Sequence, residues 1–130
     1  MPVSFLFENN GQGVVVTAAG ELLDGEFSSV SAKIYRPVVL SKLKYQVVDL
    51  TNVDSVNTTP EQIQQLAAKS VAAAKDSGGL AMAIIVNNGL LESLVRLWRF
   101  YAEHDALQVA VFAELESAKI WVQDISETIS

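Results

Sequence analysis

Tyr45-Gln46-Val47-Val48-Asp49-Leu50 is a short apolar run between polar neighbours. Its valines follow one another instead of alternating with polar residues, the mark of a strand covered on both faces. The stretch therefore predicts an interior strand. It leads into Thr51-Asn52-Val53-Asp54-Ser55-Val56-Asn57-Thr58-Thr59-Pro60, which reads as a loop closing on a helix start. Thr59 suits the N-cap, Pro60 the first helical position, and Gln62 completes a Thr-x-x-Gln capping box. Hydroxyls thus surround an electropositive helix end with free N–H groups, a place that welcomes a phosphate or a partner's carboxylate.

Upstream, residues 3–8 and 14–18 are rich in β-branched and aromatic side chains and are separated by Asn9-Asn10-Gly11-Gln12-Gly13. That pattern predicts a hairpin. Residues 21–36 carry Leu23, Phe27, Val30 and Ile34 at helical spacing, and Pro37 is expected to stop that helix. Downstream, residues 60–75 follow the helical period through Ile63, Leu66, Ala67, Ser70, Val71 and Ala74, with Asp76-Ser77-Gly78-Gly79 as the close. Residues 80–86 form a second continuous apolar run. Helical patterns follow over residues 90–103 and from Leu115 through Ala118, Trp121, Val122 and Ile125, with a third strand over residues 107–113 between them. Strand and helix alternate after the hairpin, which implies a mostly parallel sheet covered by helices. No repeat, linker or boundary interrupts residues 1–130, so one domain is expected.

Half of the residues are apolar and 18% are charged, as in a packed globule. The net charge is −6, and Lys and Arg are scattered, so the basic footprint of a nucleic-acid binder is missing and docking on an anionic membrane is disfavoured. No apolar run approaches the roughly 20 residues that span a bilayer, and the first ten residues lack the features of a signal peptide. With no cysteine there is no disulfide, thiolate nucleophile or thiolate metal site. A cytoplasmic location is the expectation.

No constellation of residues declares a reaction. His104 is the sole histidine; it falls at the end of the 90–103 helical pattern, where an imidazolium suits the helix dipole and can bond the last carbonyls. Beside Glu103 and Asp105 it makes a poor zinc site, and a triad would have to be built around it alone. Gly11-Gln12-Gly13 and Gly78-Gly79 lack the further residues of a phosphate loop and read as turns. Trp98 and Trp121 sit on apolar stripes and read as core. Arg96, Arg99 and Phe100 mix basic and aromatic groups as interfaces do, and a solvated face explains them equally.

The chain resembles the STAS domains, the family of the anti-sigma-factor antagonists, and within them the SpoIIAA-like branch. The resemblance rests on the hairpin ending in Gly20-Glu21-Leu22, the Asp49-Leu50 strand with its loop, Val111-Phe112, and Ala118 followed three residues later by Trp121. It spans nearly the whole chain. Family members that act as phospho-switches carry an Asp-Ser-x-Gly-like motif about eight residues after the Asp-Leu pair. By that count Asn57 stands at the aspartate, Thr58 at the phosphorylated serine and Pro60 at the glycine; Asp54-Ser55 falls three residues early and reads as loop. The family's likeness to lipid-binding SEC14-type domains implies a second ligand class.

The expected fold is α/β, an N-terminal hairpin followed by alternating strands and helices in a mostly parallel mixed sheet. The expected function is a non-catalytic regulatory or protein-binding module, without cofactor or metal, docking its partner through Asn57, Thr58 and Thr59. The partner is another protein or a second copy of the chain, neither nucleic acid nor membrane. The alternative is a carrier of a small apolar or lipid-like ligand, with a pocket lined by Leu90, Leu94, Leu97, Trp98 and Tyr101; packing of these same residues into the core is the competing explanation.

Overall fold

The structure, a computed structural model, describes residues 3–22 and 25–129, with the side chains of residues 128 and 129 excepted. Strands β1 (Val3–Glu8), β2 (Gly13–Leu22), β3 (Tyr45–Val56), β4 (Leu80–Ile85) and β5 (Leu107–Phe112) form a five-stranded sheet in the order β1-β2-β3-β4-β5. β1 and β2 pair antiparallel and every later pairing is parallel. The hairpin thus lies at one edge and β3 in the interior, as the Val47-Val48 run predicts. Helices α1 (Glu26–Ile34), α2 (Pro37–Leu40), α3 (Pro60–Ser77), α4 (Gly89–Tyr101) and α5 (Leu115–Ile129) fill the connections and the C-terminal end.

Parallel neighbours joined in chain order by right-handed crossovers put α1, α3 and α4 on one face. Alternate residues of the strands confirm the division. Val48, Leu50, Leu80, Met82 and Ile84 join the core beneath those helices, whereas Tyr45, Val47, Ala81, Ala83 and Ile85 join a smaller core with Ala118 and Val122 of α5.

The hairpin turns through Asn9, Asn10 and Gly11, all with positive φ, a conformation asparagine and glycine tolerate best. Gly13, opposite Tyr45 in the β2–β3 register, is required for another reason. A Cβ there would lie 2.1 Å from Tyr45 Cζ, so the tyrosine ring occupies the space of the missing side chain. The Tyr45 hydroxyl continues past it and donates to Glu8 Oε2 at 2.5 Å. Lys119 of α5 reaches the other oxygen of that carboxylate at 3.7 Å.

Four local expectations change. The helix predicted over residues 21–36 begins only at Glu26, because Glu21 and Leu22 extend β2; Leu23 lies outside the described residues, while Val30 and Ile34 are buried as expected. Pro37 opens α2 at a first-turn position instead of only ending a helix, since its missing N–H costs nothing there. Asp54-Ser55 belongs to β3, not to a loop. β2 keeps pace through two register shifts, so that Glu21 pairs with Ser55 and Leu22 with Val56. His104 lies beyond α4, and its Nδ1 accepts the Ala106 N–H at 2.9 Å instead of donating to helix carbonyls.

Candidate functional site

β2 to β5 are parallel, so the loops after them emerge at the same end of the sheet, where α/β proteins commonly place their sites. The loop after β3, Asn57-Thr58-Thr59, is short because β3 consumes the residues before it. Its backbone is pinned at both ends. The Asn57 N–H donates to the Leu22 carbonyl at 2.8 Å, tying the loop to the end of β2. Thr59 caps α3: its Oγ1 accepts the Gln62 N–H at 3.3 Å, and Gln62 Oε1 accepts the Thr59 N–H at 3.0 Å. The capping box inferred from the spacing is therefore present. At the other end, α3 stops at Gly78 in the left-handed conformation.

Thr58 differs from its neighbours. Asn57 and Thr59 are exposed, whereas Thr58 is half-buried and its hydroxyl donates to the same Gln62 Oε1 at 3.3 Å. It points into the molecule, toward a cavity of about 150 Å³ between the sheet and helices α1, α3 and α4. Most of the walls are apolar: Val48 and Leu50 of β3, Met82 and Ile84 of β4, Ile63 and Leu66 of α3, and Leu91, Leu94 and Trp98 of α4. One end is polar, built from Ser31, Tyr35, Gln46 and Ser70. The Tyr35 hydroxyl donates to Gln46 Oε1 at 2.7 Å. Burial pushes the Tyr35 phenol up to about 12, with the Ser70 and Gln46 side chains opposing part of that rise.

The pocket expected along α4 divides. Leu94 and Trp98 line the cavity, and Leu97 is half-buried against the core. Leu90 is 69% exposed and Tyr101 36% exposed, outside the cavity wall. The buried stripe of α4 is Leu91, Val95 and Trp98, spaced by four and three; Leu90 and Tyr101 fall on its flanks. The cavity's polar end was not legible as a site, because Ser31, Tyr35, Gln46 and Ser70 come from four separate stretches. The signals were Gln46, a polar residue on the buried face of an interior strand, and Ser70, a polar residue on the buried stripe of α3.

On the far side of α4, Arg96, Arg99, Phe100 and His104 border an open groove of about 740 Å³ that runs to β5. Arg99 Nη2 donates to the Val109 carbonyl at 3.1 Å and so covers part of this edge strand. Among the described residues no group of three or more His, Cys, Asp or Glu side chains could hold a metal ion, and no helix is long and apolar enough to cross a membrane.

No protein family model and no curated protein matches the chain. Solved structures do. The anti-sigma factor antagonist SpoIIAA in its unphosphorylated form aligns over 93% of this chain and 97% of its own, with a TM-score of 0.64 and 12% identity. The Bacillus cell fate determinant SpoIIAA in the phosphorylated form aligns over 92% and 99%, with a TM-score of 0.54 and 15% identity. An uncharacterized protein of the DUF3478 family from Shewanella loihica PV-4, described as having a SpoIIAA-like fold, aligns over 92% and 91%, with a TM-score of 0.55 and 15% identity. A hairpin-edged parallel sheet with helices α1 to α4 on one face and α5 on the other, matched over nearly the whole length of these proteins, is a SpoIIAA-like fold.

Proposed function

We propose that residues 1–130 form one non-catalytic regulatory domain, acting in the cytoplasm, that docks a protein partner through Asn57-Thr58-Thr59 and the first turn of α3. The observation that carries this reading is a loop both exposed and immobilised. Asn57 and Thr59 face solvent while the Leu22 carbonyl and the Gln62 box hold their backbone. A preorganised polar surface loses little freedom when a partner covers it. The fold shared with a protein named an anti-sigma factor antagonist supports the same class of role.

Docking here is constitutive in this reading. A phosphate on Thr58 would break its bond to Gln62, leave the cavity wall and meet the Glu61 carboxylate in the first turn of α3. The test is a photo-crosslinking residue placed at Asn57 and, as control, at Lys75 near the other end of α3. A discrete adduct from position 57 alone is expected, and Thr58→Ala should leave it in place; an adduct of twice the chain's mass would identify a second copy as the partner. Equal labelling from both positions, or none from 57, overturns the docking surface.

A carrier of a small apolar ligand is the second reading. The cavity beneath α1, α3 and α4 favours it.

A further inference from the structure

The cavity has features that core packing does not require. Gln46 is 6% exposed and Ser31 8% exposed, so both are buried polar side chains. The Gln46 amide accepts from Tyr35 through its oxygen, and its Nε2 meets no protein acceptor among the described residues. Ser31 of α1, at the same polar end, makes no side-chain hydrogen bond among the described residues either. Neither atom is sealed in protein without a partner; that condition is found, among the described residues, for a Glu26 oxygen instead. Both donors therefore open into the cavity. Each thus keeps a polar atom that water or a guest in the cavity can bond.

We propose that this cavity is a binding site for one small uncharged molecule with an apolar ring-sized body and a hydrogen-bond acceptor, the acceptor held by Gln46 Nε2 and Ser31 Oγ. The inference rests on the second reading above and narrows its ligand. Size favours a ring-sized body over a two-chain lipid: about 150 Å³ is half or less of a drug-sized pocket, and an engineered apolar cavity of roughly this volume holds benzene. Charge excludes an ion, because no Asp, Glu, Lys, Arg or His lines the wall, and a buried ion would stand unpaired. The Gln46 Nε2 donor, with the Ser31 hydroxyl able to donate as well, selects an acceptor such as a ketone or ether oxygen over a purely hydrocarbon guest.

The ligand site also adjoins the docking loop. Thr58 and Gln62 line the same cavity, and Gln62 holds both Thr58 and Thr59. A bound molecule would pack against the inner side of the loop whose outer side is presented to solvent.

The experiment titrates the full chain with cyclohexanone, benzene and benzoate, reading amide shifts by two-dimensional NMR. Cyclohexanone should move the Gln46 side-chain amide and the Thr58 and Gln62 signals at millimolar concentration, and benzoate should not. Gln46→Leu should weaken cyclohexanone about tenfold, the worth of one neutral hydrogen bond, and leave benzene nearly unchanged. Leu94→Phe, which fills the cavity, should abolish binding of both rings in a protein whose spectrum remains folded. No shift at these amides with any probe overturns the site; binding unaffected by Leu94→Phe overturns its location; equal loss of benzene and cyclohexanone in Gln46→Leu overturns the role of the acceptor. If Gln46→Leu unfolds, Ser31→Ala reads the same acceptor. Crosslinking at Asn57 is independent of all these outcomes, so the docking surface and the ligand site fail separately.

Discussion

The two faces of the sheet are packed by different rules. Beneath α5 the strands offer Ala81 and Ala83 to Ala118, and these three side chains are fully buried, which lets a helix seat closely on the sheet. The opposite face carries Gln46, Val48, Met82 and Ile84 under three helices that leave a cavity. Each face also buries a tyrosine near its rim, held differently. Tyr45, on the α5 side, donates to the Glu8 carboxylate, and Tyr35, on the cavity side, donates to a neutral amide. Small residues and a lone helix make a tight, apolar contact, while larger residues and several helices leave room for polar groups. The face that tolerates imperfect packing is the one that can hold a guest.

The largest expected effect tests the tight face by subtraction. Ile85→Ala, at a fully buried position under α5, should cost about 4 kcal/mol in chemical denaturation, within the range for deleting a buried isoleucine. Addition separates the faces more sharply. Ala83→Leu should destabilise by about 3 kcal/mol because nothing there can yield, whereas Leu94→Phe beside the cavity should cost less than about 1 kcal/mol. Equal costs for the two would break the contrast.

The tyrosines give the next effect, in alkaline solution. Burial raises the Tyr35 phenol from 10.0 to about 12. A raised pKa means that the folded state holds the proton more tightly, so the stabilisation is complete below pH 10 and is lost as pH climbs through about 12. The loss should be on the order of 3 kcal/mol, and Tyr35→Phe should remove it from the pH profile. Burial, followed by the hydrogen bond and charge of Glu8, raises the Tyr45 phenol still further, so its loss belongs to a more alkaline range. The smallest effect is at the end of α3, where Thr59→Ala should lower stability by about 1 kcal/mol. An unchanged denaturation midpoint would contradict the cap's contribution.

What could be read from the residues alone divides along physical lines. The Val47-Val48 run and the Thr59-x-x-Gln62 spacing are local signals with one structural solution each, and both appear as read. The end of β3 was not legible, because Asp54 and Ser55 are poor strand formers; Ser55 is held by pairing with Glu21, and Asp54 is the extra residue where β3 bulges against β2. Leu90 and Tyr101 looked like pocket residues because helical periodicity marks a broad stripe, and only the packing of α4 on α3 and the sheet decides which part of it is covered. The cavity was legible only at Leu94 and Trp98, and its shape was out of reach. A void is the absence of atoms between elements distant in the chain, and no spacing within one element encodes it.

The strand order carries a consequence for how the chain assembles. Each strand lies beside the one made just before it, so a chain emerging from its N-terminal end meets a finished partner at every step. The hairpin can form first by a short turn, and β3, β4 and β5 can each add to the growing edge after a single crossover, without waiting for a later strand to fill a gap. Such sequential pairing keeps loop closures modest, which favours fast folding and limits the time unpaired edges stand exposed. The exception is α5. Until it arrives, Ala81, Ala83 and Ile85 have no helix to cover them, so α5, made after the five strands, is the helix that completes the second face of the sheet.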